Sequence, residues 1–151
     1  MDFRVFQHAT EDRDKVLSAL RTVSGAGEVK DIRADGCHGN PILILEAAIA
    51  NRAELEGFWE RLRAFSLVCG VGENLEERIN DEGELFIRFD KQDAVAGRLA
   101  LSSGDDVILA WGRVLTRVRG QDVRADRGTA IEVMRRFLSE LSADQGVRGP
   151  S

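Results

Sequence analysis

Residues 80–97, NDEGELFIRFDKQDAVAG, restrict the fold more than any other stretch of this chain. Asn80–Gly83 is turn chemistry. From Gly83 to Phe89 the residues then alternate, with Leu85, Ile87 and Phe89 on one side and Phe86 and Arg88 on the other. A strand with one apolar face and one mixed face belongs to a sheet covered on one side. Asp90 follows as the N-cap of a short helix, its carboxylate placed to accept from the free amides of the first turn. Lys91 comes next, where the helix already presents positive charge. An incoming anion would balance that charge, so Lys91 is a candidate phosphate ligand, with Gln92 beside it to supply a hydrogen bond.

The remaining elements are read in the same way. Asp2–His8 is a first strand, and Thr10 is expected to cap a helix carrying Val16, Leu17, Leu20 and Val23. Ser24–Gly27 ends that helix, Glu28–Ala34 is a strand poor in apolar residues and so near an edge, and Pro41–Ile49 is the most apolar strand. A second helix begins near Asn51, with Leu55, Phe58, Trp59, Leu62 and Phe65 on one stripe. Cys69–Gly72 (CGVG) breaks the helical pattern, and NLEERI adds a turn of helix. A last helix carries Ile131, Met134, Phe137, Leu138 and Leu141. Strands in pairs separated by helices give an α+β fold: a mainly antiparallel sheet with helices packed on one face. The length suits one domain, expected over residues 1–142, with 143–151 a flexible tail.

Val107 to about Val118 reads as one long strand of awkward parity. Val107, Leu109 and Trp111 fall on one side, Val114 and Val118 on the other. A bulge at Gly112 would unite all five on one face. It would also align Arg113, Arg117 and Arg119 on the opposite face, with Arg124 and Arg127 in the connection to the last helix. Arginines and an aromatic residue on an exposed sheet face suit phosphate gripping and base stacking. The same charges on an edge serve equally to deter strand-to-strand aggregation.

The formal net charge of -5 argues against a generic nucleic-acid binder without excluding one, because a local basic field can coexist with an acidic total. The longest apolar run, PILILEAAIA, is interrupted by Glu46 and too short to span a membrane. MDFRVFQHA has no basic segment leading into an apolar core, so the cytoplasm is the expected compartment. Cys37 and Cys69 do not make a disulfide framework. His8, Cys37, His38 and Cys69 are zinc-ligand types without zinc-ligand spacing, so no metal is expected. CGVGEN lacks the lysine and glycine spacing of a phosphate loop, and no cofactor or catalytic residue is nominated.

FQHATED, HGNPILILEA and LEERINDEGELFIRFDKQDAVAGRLAL, in that order, resemble an archaeal RNA-binding family described as predicted exosome subunits. The resemblance covers about Phe3 to Leu109 and weakens beyond. It implies a fold similar to that of the large-subunit ribosomal protein that binds 5S rRNA, and a non-catalytic role on RNA or near RNA processing. By motif position it singles out His8, His38, Asn40, Lys91 and Gln92, although Asn40 with Gly39 equally makes the turn that Pro41 exits. The expected protein is therefore an RNA binder that holds phosphates with Arg88, Lys91, Arg113, Arg117, Arg119, Arg124 and Arg127. RNA is its expected partner, with RNA-processing proteins beside it. The rivals are a protein–protein adaptor without direct RNA contact, and a small-ligand protein or enzyme built around His8, His38 and Lys91.

Overall fold

The computed structural model describes residues 1–35 and 41–147. In chain order its elements are β1 (Asp2–Gln7), α1 (Arg13–Ser24), β2 (Lys30–Asp35), β3 (Pro41–Ala48), α2 (Arg52–Ala64), α3 (Val68–Glu73) and α4 (Leu75–Arg78). They continue with β4 (Glu84–Asp90), α5 (Lys91–Val95), β5 (Val107–Arg113), β6 (Leu115–Val118), β7 (Gln121–Arg124) and α6 (Arg127–Val147). Five strands form one sheet in the order β2-β3-β1-β5-β4, with every neighbouring pair antiparallel. Strands β6 and β7 pair only with each other. The fold is thus α+β, with a mainly antiparallel sheet, as the alternation of patterns predicts.

Register explains which side is covered. Phe3 lies opposite Ala47 on β3 and Ala110 on β5, while Ile87 and Phe89 on β4 lie opposite Ala110 and Ile108. All six are buried, and so are Val5, Leu45 and Leu85 on the same face. The helices supply the other half of this core through Val16, Leu20 and Val23 of α1, Phe58 and Leu62 of α2, and Ile131, Met134 and Leu138 of α6. The Phe58 ring meets Phe3 and Phe89 edge to face, at 5.4 and 6.1 Å between centroids. Helix α2 is thereby keyed to the middle of the sheet.

The local signals explain most boundaries. Asn51 caps α2 through Glu54 N, and Asp90 caps α5 by accepting from Asp93 N at 2.9 Å. Gly83 sits at φ +77°, and a Cβ there would fall 2.1 Å from the Ala125 carbonyl oxygen, so the turn into β4 requires glycine. As expected, β2 is an edge strand.

Four sequence expectations change. The cap of α1 is Asp12, which accepts from Asp14 N; Thr10 lies before it because Glu11 folds back to accept from His8 N. The CGVG stretch is helical rather than a break, since Val68 and Val71 are spaced to bury one side of α3. Helix α6 runs on to Val147, past the expected end near Leu141. The long strand is in fact two. β5 pairs with β4 without a bulge, Gly112 sitting opposite Leu85, and the chain leaves the sheet at the buried Val114. Val114 N donates to Gly83 O, and Val114 O accepts from Ala125 N. Those two bonds tie the root of the β6–β7 hairpin to the sheet.

Candidate nucleic-acid interface

Because side chains alternate along a strand, the face of the sheet away from the helices carries the other residue set. On β4 and β5 that set runs in three rows: Glu84 opposite Arg113, Phe86 opposite Trp111, and Arg88 opposite Leu109. β1 extends the rows with Asp2 opposite Trp111 and Arg4 opposite Leu109. The Cβ atoms of directly opposed residues on one face stand about 5 Å apart, so Phe86 and Trp111 are cross-strand neighbours with arginines in the adjoining rows. The Arg4 guanidinium carbon lies 5.3 Å from the Trp111 ring centroid, and Arg4 also pairs with Glu46 at 2.6 Å. Arg88 and Arg113 are exposed and make no ion pair among the described residues. On the same side Phe6 is 44% and Ile32 42% exposed, so the apolar content of this face meets solvent.

Val107, Leu109 and Trp111 therefore line the open face, while Ile108 and Ala110 face the helices. The expectation that Arg113, Arg117 and Arg119 share one face with Trp111 on the other is overturned. Arg113 ends β5 on the same side as Trp111, whereas Arg117 lies on the separate hairpin. There Arg117 pairs with Asp122 and Leu115 with Arg124, so Arg117 and Arg124 project from one side of the ribbon. Arg119 occupies its turn at φ +52°. Leu115, Val118 and Val123 are also exposed on this hairpin, so Val118 does not join the core.

Lys91 is elsewhere. Its side chain is 0% exposed, and Nζ donates to Phe6 O at 2.7 Å, Glu11 Oε1 at 2.7 Å and Asp106 Oδ1 at 3.0 Å. An ammonium has three protons, and all three are taken. A phosphate would have to displace two carboxylates, so the phosphate role expected for Lys91 gives way to a structural one. The charge at the start of α5 is balanced from within the chain. His8 Nε2 lies 3.6 Å from the same Asp106 oxygen. The ligand atoms of His8, Glu11 and Asp106 all fall within 4.8 Å of one another, but the Lys91 ammonium already stands against both carboxylates as their counter-cation. Partial burial pushes the Glu11 carboxyl up, and its bonds from Lys91 and His8 N together with the Lys91 charge outweigh this, holding it below its usual range.

Arg127, another of the expected phosphate ligands, is engaged within the chain. It donates from Nε to Ile79 O at 3.2 Å and from a terminal nitrogen to Glu76 O at 2.6 Å, tying the start of α6 to α4. Arg127→Ala is expected to lower stability by about 1–2 kcal/mol, as loss of charge-assisted bonds to two carbonyls does. Chemical denaturation will measure this. Gln92 is exposed on α5, and His8 is exposed beside Asp106. His38, Asn40 and Cys37 lie outside the described residues. Cys69 is exposed on α3.

One residue missed in the sequence is Arg78, at the end of α4. With Asn74, Glu77, Phe86, Arg88, Ser102, Ser103 and Leu109 it lines a groove of about 500 Å³ along the outer edge of β4. Burial lowers the Arg78 pKa, and the neighbouring Glu77 charge works against that. The spacing of Arg78 and Arg88 in the sequence offered no sign of this meeting, because the groove is closed by Ser102–Ser103 arriving from beyond α5.

A five-stranded antiparallel sheet with helices on one face and aromatic and arginine side chains on the other defines an α+β sandwich with one open sheet face. The chain belongs to the family described as RNA binding, whose model matches residues 1–114. That match takes in the whole five-stranded sheet and stops where the chain leaves it at Val114. RNA-binding protein PAB1135 of Pyrococcus abyssi is 39% identical over 114 residues, covering 70% of this chain and 74% of its own. Among solved structures, Mth689, a DUF54 protein from Methanothermobacter thermautotrophicus, superposes with a TM-score of 0.72 at 30% identity, covering 91% of this chain and 95% of that one. AF2318 from Archaeglobus fulgidus gives a TM-score of 0.72 at 30% identity, over 93% of this chain and 96% of its own.

Proposed function

We propose that this protein binds RNA without catalysis, on the open face of the sheet, as an accessory to exosome-linked RNA processing in the cytoplasm. The observation that carries the reading is the Phe86–Trp111 pair bracketed by Arg4, Arg88 and Arg113. Flat rings take unpaired bases by stacking, and the guanidinium groups of Arg88 and Arg113, less engaged than that of Arg4 with its Glu46 partner, take the phosphates between those bases. Arg117, Arg119 and Arg124 on the hairpin, and Gln92 and His8 at the other end, would extend the track. Membership in a family described as RNA binding supports the same reading. The acidic residues are divided: Asp14 of α1 and Glu54, Glu56 and Glu60 of α2 lie on the helices, while Asp2, Glu46 and Glu84 share the open face with the arginines. The α+β layout supports the expected likeness to the 5S rRNA-binding ribosomal protein, and RNA-processing proteins are the further partners this role implies.

Titration of a labelled single-stranded RNA across a salt series tests the proposal. Replacing Arg88 and Arg113 together by alanine is expected to make the plot of log affinity against log salt shallower by roughly 0.7 for each phosphate no longer neutralised. Replacing Phe86 and Trp111 by alanine should weaken binding by about 1–3 kcal/mol per stacked base while leaving that slope unchanged. No binding by wild type at low salt, to single-stranded or structured RNA, would end the proposal. Partners that survive complete nuclease digestion would then favour an adaptor.

A further inference from the structure

The groove along the outer edge of β4 has a built-in chemistry that the sheet face alone lacks. One wall is helical: Asn74 precedes α4 and Arg78 ends it. The opposite wall is the segment after Leu99, held along β4 by Asp90 N to Ala100 O at 2.8 Å and Ser102 N to Arg88 O at 3.0 Å. Phe86, Arg88 and Leu109, all open-face residues, form the floor.

Its polar groups are poised to donate. Arg78 Nε, like Arg61 Nε, is shielded from solvent and has no hydrogen-bond partner among the described residues, and orphaned buried donors of this kind are uncommon in folded proteins. Arg78 and Arg88 make no ion pair among the described residues. Ser102 Oγ accepts from Gly104 N at 3.1 Å, which leaves its own proton to donate elsewhere. Ser103 adds a second hydroxyl and Asn74 an amide. Against these stands one carboxylate, Glu77. The space, about 500 Å³, falls within the roughly 300–1,000 Å³ of small-ligand sites.

We infer that this groove is a phosphate clamp for single-stranded RNA, in which Arg78 and Arg88 grip one backbone phosphate from two sides and the adjoining base stacks on Phe86. Resting on the reading of the sheet face as an RNA surface, the clamp gives that surface a fixed point. A guanidinium from outside the sheet sets where the strand leaves the open face at β4. Ser102, Ser103 and Asn74 then face the sugar and the base edge.

The test compares decauridylate with uridine monophosphate on the folded full chain, by fluorescence anisotropy and calorimetry, with thermal melts run in parallel. Arg78→Lys retains the positive charge but removes the fork and the Nε donor, so it separates a clamp from a general field effect. The expected result is about tenfold weaker decauridylate binding by Arg78→Lys with an unchanged melt, and a similar loss for the Ser102→Ala, Ser103→Ala double variant. A 5-iodouridine in the strand should photocrosslink to the peptide containing Phe86. Undiminished binding by Arg78→Lys, while Arg113→Ala is weakened, overturns the clamp and leaves the sheet reading standing. Uridine monophosphate binding as tightly as decauridylate overturns it in favour of a free-nucleotide pocket. Absence of binding by wild type to either probe overturns both.

Discussion

Lys91→Ala is expected to lower the free energy of unfolding by about 3 kcal/mol, toward the low end of the range for breaking a buried ion pair. The Lys91 side chain is fully buried and its three protons go to Phe6 O, Glu11 and Asp106. Truncation removes the aliphatic stem from the core and takes the Lys91 donor from the Phe6 carbonyl and from the carboxylates of Glu11 and Asp106, of which Glu11 keeps its bond from His8 N. Asp106 is 51% exposed and returns to water easily, which is why the upper end of the range is not reached. Lys91→Met keeps the stem and should cost less, about 2 kcal/mol, which isolates the polar part. The pH profile adds an independent check. The folded Glu11 pKa is held below its unfolded value, so its contribution is present above about pH 4.5 and is lost as pH falls through the folded value. Wild-type stability should therefore fall in that acid window, and Lys91→Met should be flatter there because the Lys91 bond and charge that lower Glu11 are gone, leaving His8 N, the His8 imidazole and Asp106 facing it. Guanidinium titrations at neutral pH and below 4.5 measure both effects. A Lys91→Ala protein as stable as wild type would remove the ion cluster from any structural role.

Phe58→Ala is expected to cost about 3–5 kcal/mol, the range for emptying a large aromatic site in a packed core. Phe58 is 0% exposed and its ring touches Phe3 of the central strand, Phe89 of β4 and its own neighbour Trp59. Both sheet partners are held by hydrogen-bonded registers, so the space cannot collapse without moving strands. The melting temperature should drop by roughly 10 °C, at about 2–4 °C per kcal/mol for a domain of this size. Since the open face lies on the far side of the sheet, RNA affinity measured below the transition should be kept. Loss of affinity in a still-folded Phe58→Ala protein would show that α2 shapes the open face as well as the core.

These two residues differ in how far the sequence reveals them. Phe58 falls on the apolar stripe of a helix whose start Asn51 announces, and a stripe of that width has to be buried. The alternation in β4 is equally plain: Leu85, Ile87 and Phe89 in, Phe86 and Arg88 out. Strand β5 is harder, because both of its faces are apolar. Val107, Leu109 and Trp111 outweigh Ile108 and Ala110 in bulk, so hydrophobicity favours the wrong side. Ile108 and Ala110 are the inward pair because Phe3, Ile87 and Phe89 already fill the layer against the helices and leave room for a small residue at Ala110. With Trp111 turned outward, the aromatic pair of the open face comes into being.

The candidate site divides along the same line. Arg88 was readable as an outward charge because strand periodicity is local, whereas Arg113 was expected outward only through a bulge at Gly112 that the β4–β5 register does not contain. The α+β class followed from periodicities and turns within a few residues of each other. Lys91 was not readable, since its partners come from residues 6, 11 and 106, which meet only when β1, α5 and the start of β5 are assembled. Arg78 and Ser102 likewise share a groove only through the pairing of β4 with its flanking segments. What the sequence by itself determined were most of the elements, the Asn51 and Asp90 caps and the existence of one covered and one open sheet face, because these depend on side-chain spacing along the chain. Tertiary structure alone decided which apolar set turned inward and which cations were left free for a ligand, because burial and ion pairing depend on neighbours distant in sequence.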